Sequence, residues 1–156
     1  YPDNWVGNQL TSTYFEIKRT GKVHGTKTVH KTECQDIGDS RVWDLDQHDI
    51  SCPAGTAMSK WRMIAGNRNV CNSTSAAIEF ECMKVPLGTC RAVQTPCFDD
   101  ADYGGLSVLS LYKVSCNDGE VLQRWHFEGN NGVNPCMPAG ASSVSELVNY
   151  TCCTLG

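Results

Sequence analysis

The stretch Ser51–Met63, SCPAGTAMSKWRM, organises the rest of the sequence because the chain contains a version of it twice. Residues Ser115–Phe127 read SCNDGEVLQRWHF, with the same Ser-Cys start, a Gly three residues after the Cys, and a Trp two positions before the last residue. The similarity continues downstream, where Ile78–Cys82 corresponds to Val148–Cys152. The offset between the copies grows from 64 at the first Cys to 70 at the last. The chain is therefore predicted to hold a duplicated module, with a short insertion before the last strand of the second copy.

The duplication divides the chain into four parts, which are an N-terminal strand segment (1–44), module one (45–85), a connector (86–105) and module two (106–156). Residues 1–33 contain no cysteine, and two stretches of them, Leu10–Lys18 and Thr26–Thr32, have strand-like composition. Two interpretations of this segment stay open. It forms edge strands of its own domain, or it is an exchangeable segment that completes the sheet of a neighbouring copy. The connector is expected to be rich in loops.

Ten cysteines in 156 residues predict a disulfide framework, and such a framework persists in an oxidising compartment. Their wide spacing argues against zinc, whose sites favour close Cys and His clusters. Five disulfides are expected, with connectivity that sequence alone leaves open. The duplication requires that partners in one module be mirrored in the other. Adjacent Cys152 and Cys153 should have different partners, because a bridge between neighbours is strained. A local bridge between Cys90 and Cys97 is also expected. The disulfide candidates are Cys34, Cys52, Cys71, Cys82, Cys90, Cys97, Cys116, Cys136, Cys152 and Cys153.

Charge and hydropathy exclude two classes of partner. The net charge is −4 without a basic cluster, so nucleic acid is not an expected partner. No apolar run approaches the length of about 20 residues that spans a bilayer. The chain begins YPDNW, without Met or an apolar leader, as expected if a signal peptide has been removed. Sequons at Asn72 and Asn149 predict a secreted, glycosylated protein.

Alternation of apolar and polar residues predicts an all-β fold. In the last strand of module one, Ile78, Phe80 and Cys82 are expected to face inward and the two intervening Glu residues outward. Val148–Cys152 repeats the pattern, which places Asn149 and Thr151 outward. The run Leu106–Cys116 is apolar on both faces and predicts a strand covered on both sides. Short strands with frequent turns favour a disulfide-stapled sandwich or prism-like architecture built from the duplicated module.

The search for chemistry finds no catalytic constellation, and we expect neither an enzyme nor a cofactor. The four histidines lie apart, without a nucleophile motif beside them. The densest set of ligand-type side chains is Asp44, Asp46, His48 and Asp49, but the stretch lacks the glycine of a calcium loop, which favours a solvated acidic face over a metal site. The aspartates that follow Cys97 are interpreted as solvated loop carboxylates.

The four tryptophans suggest one binding hypothesis. Trp61 and Trp125 occupy equivalent positions in the two copies, which favours a role in core packing. Trp5 and Trp43 lie outside the repeat and are the candidates for stacking against a sugar ring. A carbohydrate-binding, lectin-like module is therefore the alternative function, with glycans as the partner.

The pattern of Cys52–Gly55, Trp61 and Phe80–Cys82 resembles modules of secreted β-rich proteins of the dermatopontin and vitelline-membrane outer-layer kinds. The run Leu45–Cys52 resembles repeats in extracellular structural proteins of algae and protists. Together these similarities cover about residues 45–153. They imply an extracellular, all-β, non-catalytic role and assign no individual functional residue. The expected function is a structural subunit of an extracellular coat, matrix or filament, whose partners are other copies of itself or other matrix proteins.

Overall fold

The computed structural model describes residues 15–16, 26–36, 46–65, 71, 75–99, 114–128 and 145–156. Almost all of them belong to β-strands, which confirms the all-β, disulfide-stabilised fold. The strands are β1 Phe15–Glu16, β2 Lys27–Lys31, β3 Gln35–Asp36, β4 Asp49–Ser51, β5 Thr56–Ala65, β6 Ser75–Lys84, β7 Leu87–Gln94, β8 Phe98–Asp99, β9 Val114–Ser115, β10 Glu120–Glu128 and β11 Ser145–Leu155.

Two antiparallel sheets carry the fold. In sheet one, β6 lies between β5 on one side and β2 with β3 on the other. In sheet two, the order is β4-β10-β11-β7, and β8 pairs with β11 beyond β7. The strands β1 and β9 form a separate parallel pair. The inner faces of both sheets contribute to one hydrophobic core, so the two modules fold as a unit.

The two copies repeat each other down to their irregularities. The β5–β6 register shifts between Met58 and Lys60, and the β10–β11 register shifts at the equivalent place, between Leu122 and Arg124. A β-bulge adds one residue to a strand and inverts the faces of the residues that follow. The bulge therefore explains why the alternation in Ala57–Ile64 is imperfect in sequence. Gly55 and Gly119 open the strands with positive φ of 78° and 81°, a conformation that favours glycine.

The repeated unit begins earlier than the sequence indicates, at β2 rather than at residue 45. Thr32 follows β2 and makes two hydrogen bonds with Ile78. The Thr32 N–H donates to the Ile78 carbonyl, and the Ile78 N–H donates to the Thr32 hydroxyl, both at 2.9 Å. Thr95 follows β7 and makes the same two bonds with Val148, at 3.0 and 2.9 Å. The pair β2 and β3 thus corresponds to β7 and β8, and a Thr-x-Cys motif ends the first strand of each pair.

This equivalence corrects the predicted connector at 86–105. Leu87–Gln94 is not a loop but an eight-residue strand, paired with β11 along its length. Its side chains are largely exposed, so it lacks the apolar alternation by which strands are found in sequence. The rest of the predicted connector beyond residue 99 lies outside the described residues. The same holds for Leu106–Lys113 of the strand predicted to be covered on both faces.

The disulfides mirror each other as the duplication requires. Cys52–Cys82 and Cys116–Cys152 occupy equivalent positions, with Cα atoms 5.7 and 5.6 Å apart, and they close sequence separations of 30 and 36 residues. The difference of six is the insertion in the second copy. Cys152 and Cys153 have different partners, as predicted. The remaining described bridges are Cys34–Cys71 and Cys90–Cys153.

The local Cys90–Cys97 bridge is wrong, since Cys90 bonds to Cys153 directly across from it on β11. The physical reason is the extended conformation of β7. A strand advances about 3.3 Å per residue, which carries Cys97 well beyond the roughly 6 Å that separates bonded Cα atoms. Cys97 is also disulfide-bonded, and its partner, like Cys136, lies outside the described residues.

The N-terminal segment pairs within its own chain where it is described. β2 forms one edge of sheet one beside β6, and β1 pairs with β9. Phe15–Glu16 and Lys27–Lys31 therefore pair within the chain, as the edge-strand interpretation expects, and pairing of this segment with a neighbouring copy stays a prediction. Most of residues 1–25 lie outside the described part of the chain.

Candidate functional site

Several residues singled out by sequence lie outside the described part of the chain, namely Trp5, Trp43, Asp44, Asn72, Asp100 and Asp102. The acidic stretch that remains does not form a site. Asp49 lies in β4 and pairs with Arg124, whose Nε is 3.2 Å from the carboxylate. His48, in contrast, is fully buried and faces away from solvent. Among the described residues, no three His, Cys, Asp or Glu side chains converge in a geometry suited to a metal ion.

His48 is a buried polar residue that ties the two copies together. Its Nδ1 lies 2.7 Å from the Thr32 hydroxyl of copy one, and its carbonyl accepts a 2.9 Å hydrogen bond from His126 Nδ1 of copy two. Within the described residues its Nε2 has no hydrogen-bond partner. Burial, with a smaller repulsion from His126, lowers the pKa of His48 to about 4. The ring is therefore neutral at physiological pH.

We expect the lowered pKa of His48 to make the protein acid-sensitive. An unfolded histidine titrates near 6.5, so between pH 6.5 and 4 the unfolded chain takes up a proton that the folded chain does not. Stability is full above pH 6.5 and falls as the pH decreases through this window, by about 3 kcal/mol in total. Urea unfolding of the native protein and of His48→Gln at pH 7.0, 5.5 and 4.0 measures the effect.

The variant should show a distinctly shallower loss of stability over this window, since glutamine does not titrate. His30→Gln serves as the matched control, because His30 lies on the edge strand β2 and not between the copies. If His48→Gln and the native protein lose stability in parallel from pH 7.0 to 4.0, the buried ring does not control the acid response.

The outer face of sheet one, which we call the copy-one face, consists of paired charges. Glu81 lies 3.7 Å from both Lys27 Nζ and Lys60 Nζ and accepts a 2.6 Å hydrogen bond from the Ser59 hydroxyl. Glu79 pairs with Arg62 at 3.1 Å. These carboxylates are largely shielded from solvent. The hydrogen-bonding capacity of this face is therefore mostly used within the protein.

The outer face of sheet two, the copy-two face, occupies the equivalent position with a different set of side chains. The registers of the two hairpins place His126 where copy one has Arg62, Asn149 where it has Glu79, and Thr151 where it has Glu81. The strand pattern predicted Asn149 and Thr151 on this face, and both are partly exposed while Val148, Tyr150 and Cys152 are buried. The copy-two face comprises Gln94, Arg124, His126, Glu128, Asn149 and Thr151.

A depression of about 520 Å³ lies on the copy-two face and is open to solvent. Its lining comes from three adjacent strands: Gln94 and Ala92 from β7, Asn149 and Thr151 from β11, and Arg124 and Glu128 from β10. Tyr150 contributes to the lining but is itself buried, and its hydroxyl donates to the Ser115 carbonyl at 3.2 Å. The lining of the depression is thus mainly polar, with two amides, a hydroxyl, a guanidinium and a carboxylate besides Ala92 and Tyr150.

Two internal hydrogen bonds organise this depression. Asn149 Nδ2 donates to Glu128 Oε1 at 2.8 Å, and the same carboxylate oxygen lies 3.8 Å from His126 Nε2. His126 Nδ1 donates to the His48 carbonyl, which fixes the orientation of the ring. Sequence comparison of the copies could have found this site. Glu79 and Glu81 of copy one are replaced by Asn149 and Thr151 in copy two, whereas the positive charge of Lys60 is kept as Arg124.

A second ion pair supports the strand that forms one side of the depression. Arg91 on β7 makes two 2.8 Å hydrogen bonds to the carboxylate of Glu120 on β10, spanning the intervening strand β11. The backbone N–H of Asn117 donates a third, at 2.9 Å. The Arg91 guanidinium holds the pKa of the Glu120 carboxyl below its usual range. Together with Cys90–Cys153, this pair fixes β7 against sheet two.

No protein-family model, no curated protein and no solved structure matches this chain significantly. Function therefore has to be argued from the described residues themselves. In that part of the chain, none of the secondary structure is a helix with the length and hydropathy needed to cross a membrane.

Proposed function

We propose that the protein is a secreted, glycosylated structural subunit of an extracellular coat, matrix or filament, and that copies associate through the edges of their sheets. The observation that carries this proposal is a pair of equivalent edge strands. β2 ends sheet one and β7 ends sheet two, and no described strand pairs with their outer sides. Both are largely exposed, and Val29 on β2 is 57% exposed. Open edges offer unpaired backbone groups to another strand.

The register identifies which backbone groups point outward. Thr95 N–H donates to the Val148 carbonyl, so this position faces β11 and alternate positions along β7 face the open edge. Ala92 is one of the outward positions. By the same argument from Thr32 and Ile78, Val29 is outward on β2. Val29 and Ala92 are equivalent residues of the two copies. The two edges are therefore similar, and each can pair with an edge of another molecule in an assembly.

The disulfide framework supports an extracellular building block. Cys52–Cys82 and Cys116–Cys152 cross-link the central strands β6 and β11, and Cys90–Cys153 ties the edge strand β7 to β11. Asn149 lies on the central strand β11 with its amide nitrogen engaged by Glu128, so we assign the proposed glycan to the other sequon, at Asn72.

The test blocks both edges without breaking the sheets. Val29→Pro with Ala92→Pro removes two outward N–H groups, and proline is tolerated at such edge positions. We expect the native, non-reduced protein to form oligomers or filaments in size-exclusion chromatography with light scattering and in negative-stain images. The double proline variant should elute as a monomer of about the calculated 17.1 kDa plus glycan.

Val29→Thr with Ala92→Thr is the matched control, because it keeps both N–H groups and should assemble as the native protein does. A native protein that remains monomeric at high concentration contradicts the proposal. So does a double proline variant that is folded by circular dichroism and still assembles.

A further inference from the structure

We infer that the copy-two face is a binding site for a neutral saccharide, held by Gln94, Asn149, Thr151 and Arg124 at the depression. This inference does not rest on the proposed assembly role, which concerns the sheet edges. It rests on the difference between the copy-one face and the copy-two face at equivalent positions of the duplicated module.

The duplication supplies an internal comparison. On the copy-one face, the carboxylates of Glu79 and Glu81 are neutralised by Arg62, Lys27 and Lys60. The copy-two face has an amide at the position of Glu79 and a hydroxyl at the position of Glu81. Either set of side chains, the ion-paired one or the amide and hydroxyl one, would keep a surface soluble. At these two positions, copy two has groups that both donate and accept hydrogen bonds, where copy one has carboxylates in ion pairs.

These groups retain unused hydrogen-bonding capacity. Within the described residues, the Gln94 amide and the Thr151 hydroxyl make no side-chain hydrogen bond, and Asn149 uses only its Nδ2. Arg124 uses Nε toward Asp49, which leaves its terminal nitrogens available. A sugar hydroxyl is itself both donor and acceptor, so amides, hydroxyls and a guanidinium are complementary to it.

The arrangement of these groups matches a small polyhydroxylated ligand. Gln94, Asn149 and His126 lie side by side on β7, β11 and β10, and Thr151 and Arg124 form the next row on β11 and β10. Neighbouring strands are about 4.8 Å apart, so a row across three strands spans roughly 10 Å. The depression of about 520 Å³ is within the range of small-molecule sites, about 300–1,000 Å³.

Charge and hydropathy argue for a neutral sugar over other ligands. The positive Arg124 is balanced by Asp49, and Glu128 adds a negative group, so an anionic ligand would meet a carboxylate. The only apolar side chain in the lining that is not buried is Ala92, which offers no anchor for a peptide. The site is open and shallow, so we expect weak binding of single sugars and stronger binding to multivalent displays.

The experiment uses the full non-reduced protein, produced in a host that does not N-glycosylate, so that Asn149 is unmodified. An array of neutral and acidic oligosaccharides identifies the class of ligand, and titration calorimetry with the best neutral oligosaccharide measures its affinity. We expect neutral glycans to bind, and we expect Gln94→Ala and Thr151→Ala each to weaken binding about tenfold, the effect of one lost hydrogen bond.

Lys31→Ala is the matched control, because Lys31 occupies in copy one the register position of Gln94, and it should leave binding unchanged. Thermal midpoints of all variants establish that they fold, and saturation-transfer NMR on the native protein shows which protons of the sugar are held without any substitution. The inference is overturned if no neutral glycan binds at millimolar concentration, if only acidic glycans bind, or if Gln94→Ala and Lys31→Ala behave alike. Assembly measured by light scattering is a separate readout, so either proposal can fail alone.

Discussion

Replacing either mirrored disulfide by a pair of alanines should lower the free energy of unfolding by about 4 kcal/mol, and the two replacements should have similar effects. The bridges Cys52–Cys82 and Cys116–Cys152 close loops of similar length at equivalent places, so they restrict the unfolded chain to a similar degree. All four half-cystines are buried, so the surrounding packing also responds alike in both copies. The free energy of unfolding of a small domain is about 5–15 kcal/mol, so either variant should lose a large part of its stability.

Guanidinium unfolding followed by tryptophan fluorescence measures the effect, because Trp61 and Trp125 lie in the shared core. Cys90→Ala with Cys153→Ala is an instructive comparison. Its bridge closes 63 residues and lies beside the open edge of β7, so it should cost about as much stability while also releasing that edge. A large loss from one mirrored bridge and none from the other would show that the two modules do not share one cooperative unit.

Trp125→Ala should destabilise the protein by about 3–5 kcal/mol, and Trp61→Ala should do so by a similar amount. Both rings are buried, and their centroids are 4.9 Å apart at an interplanar angle of 56°. Trp125 stands opposite Ile50 on β4 and Tyr150 on β11, so its removal leaves a cavity lined by three strands. The prediction of core packing for these two residues follows from their equivalence in the two copies, and their burial confirms it.

Because the two rings touch, the double variant should lose less stability than the sum of the single variants. Val29→Ala is the control, since this side chain is mostly exposed and its truncation should change stability by less than about 0.5 kcal/mol. Urea unfolding of the four variants tests the cycle. Additive losses would mean that the two copies pack independently, in contradiction to the single core.

Sequence reasoning succeeds here where side chains are buried. The strands β5, β6, β10 and β11 were predictable because each has an inner face that must be apolar, and the mirrored bridges followed from the repeated cysteines. Trp61 and Trp125 were assigned to the core for the same reason.

Sequence reasoning fails for strands that are stabilised by pairing with a neighbouring strand and not by burial of their side chains. β7 is exposed on most of its length and is held by β11, by Cys90–Cys153 and by the Arg91–Glu120 pair, none of which leaves a periodic signal. The candidate site could not be predicted as a group, because Gln94 lies in that strand and meets Asn149 only through the register. The sequence-based candidates Trp5 and Trp43 lie outside the described residues and remain predictions.

The contact between Trp61 and Trp125 has a consequence for the history of the chain. Two equivalent residues touch each other when their units meet close to a symmetry axis, as they do at the two-fold axis of an isologous dimer. A single ancestral unit would have exposed this tryptophan, and a symmetric pair of such units would have buried it. Gene duplication would then have joined the two halves of a homodimer in one polypeptide, after which the outer faces of the two halves were free to differ.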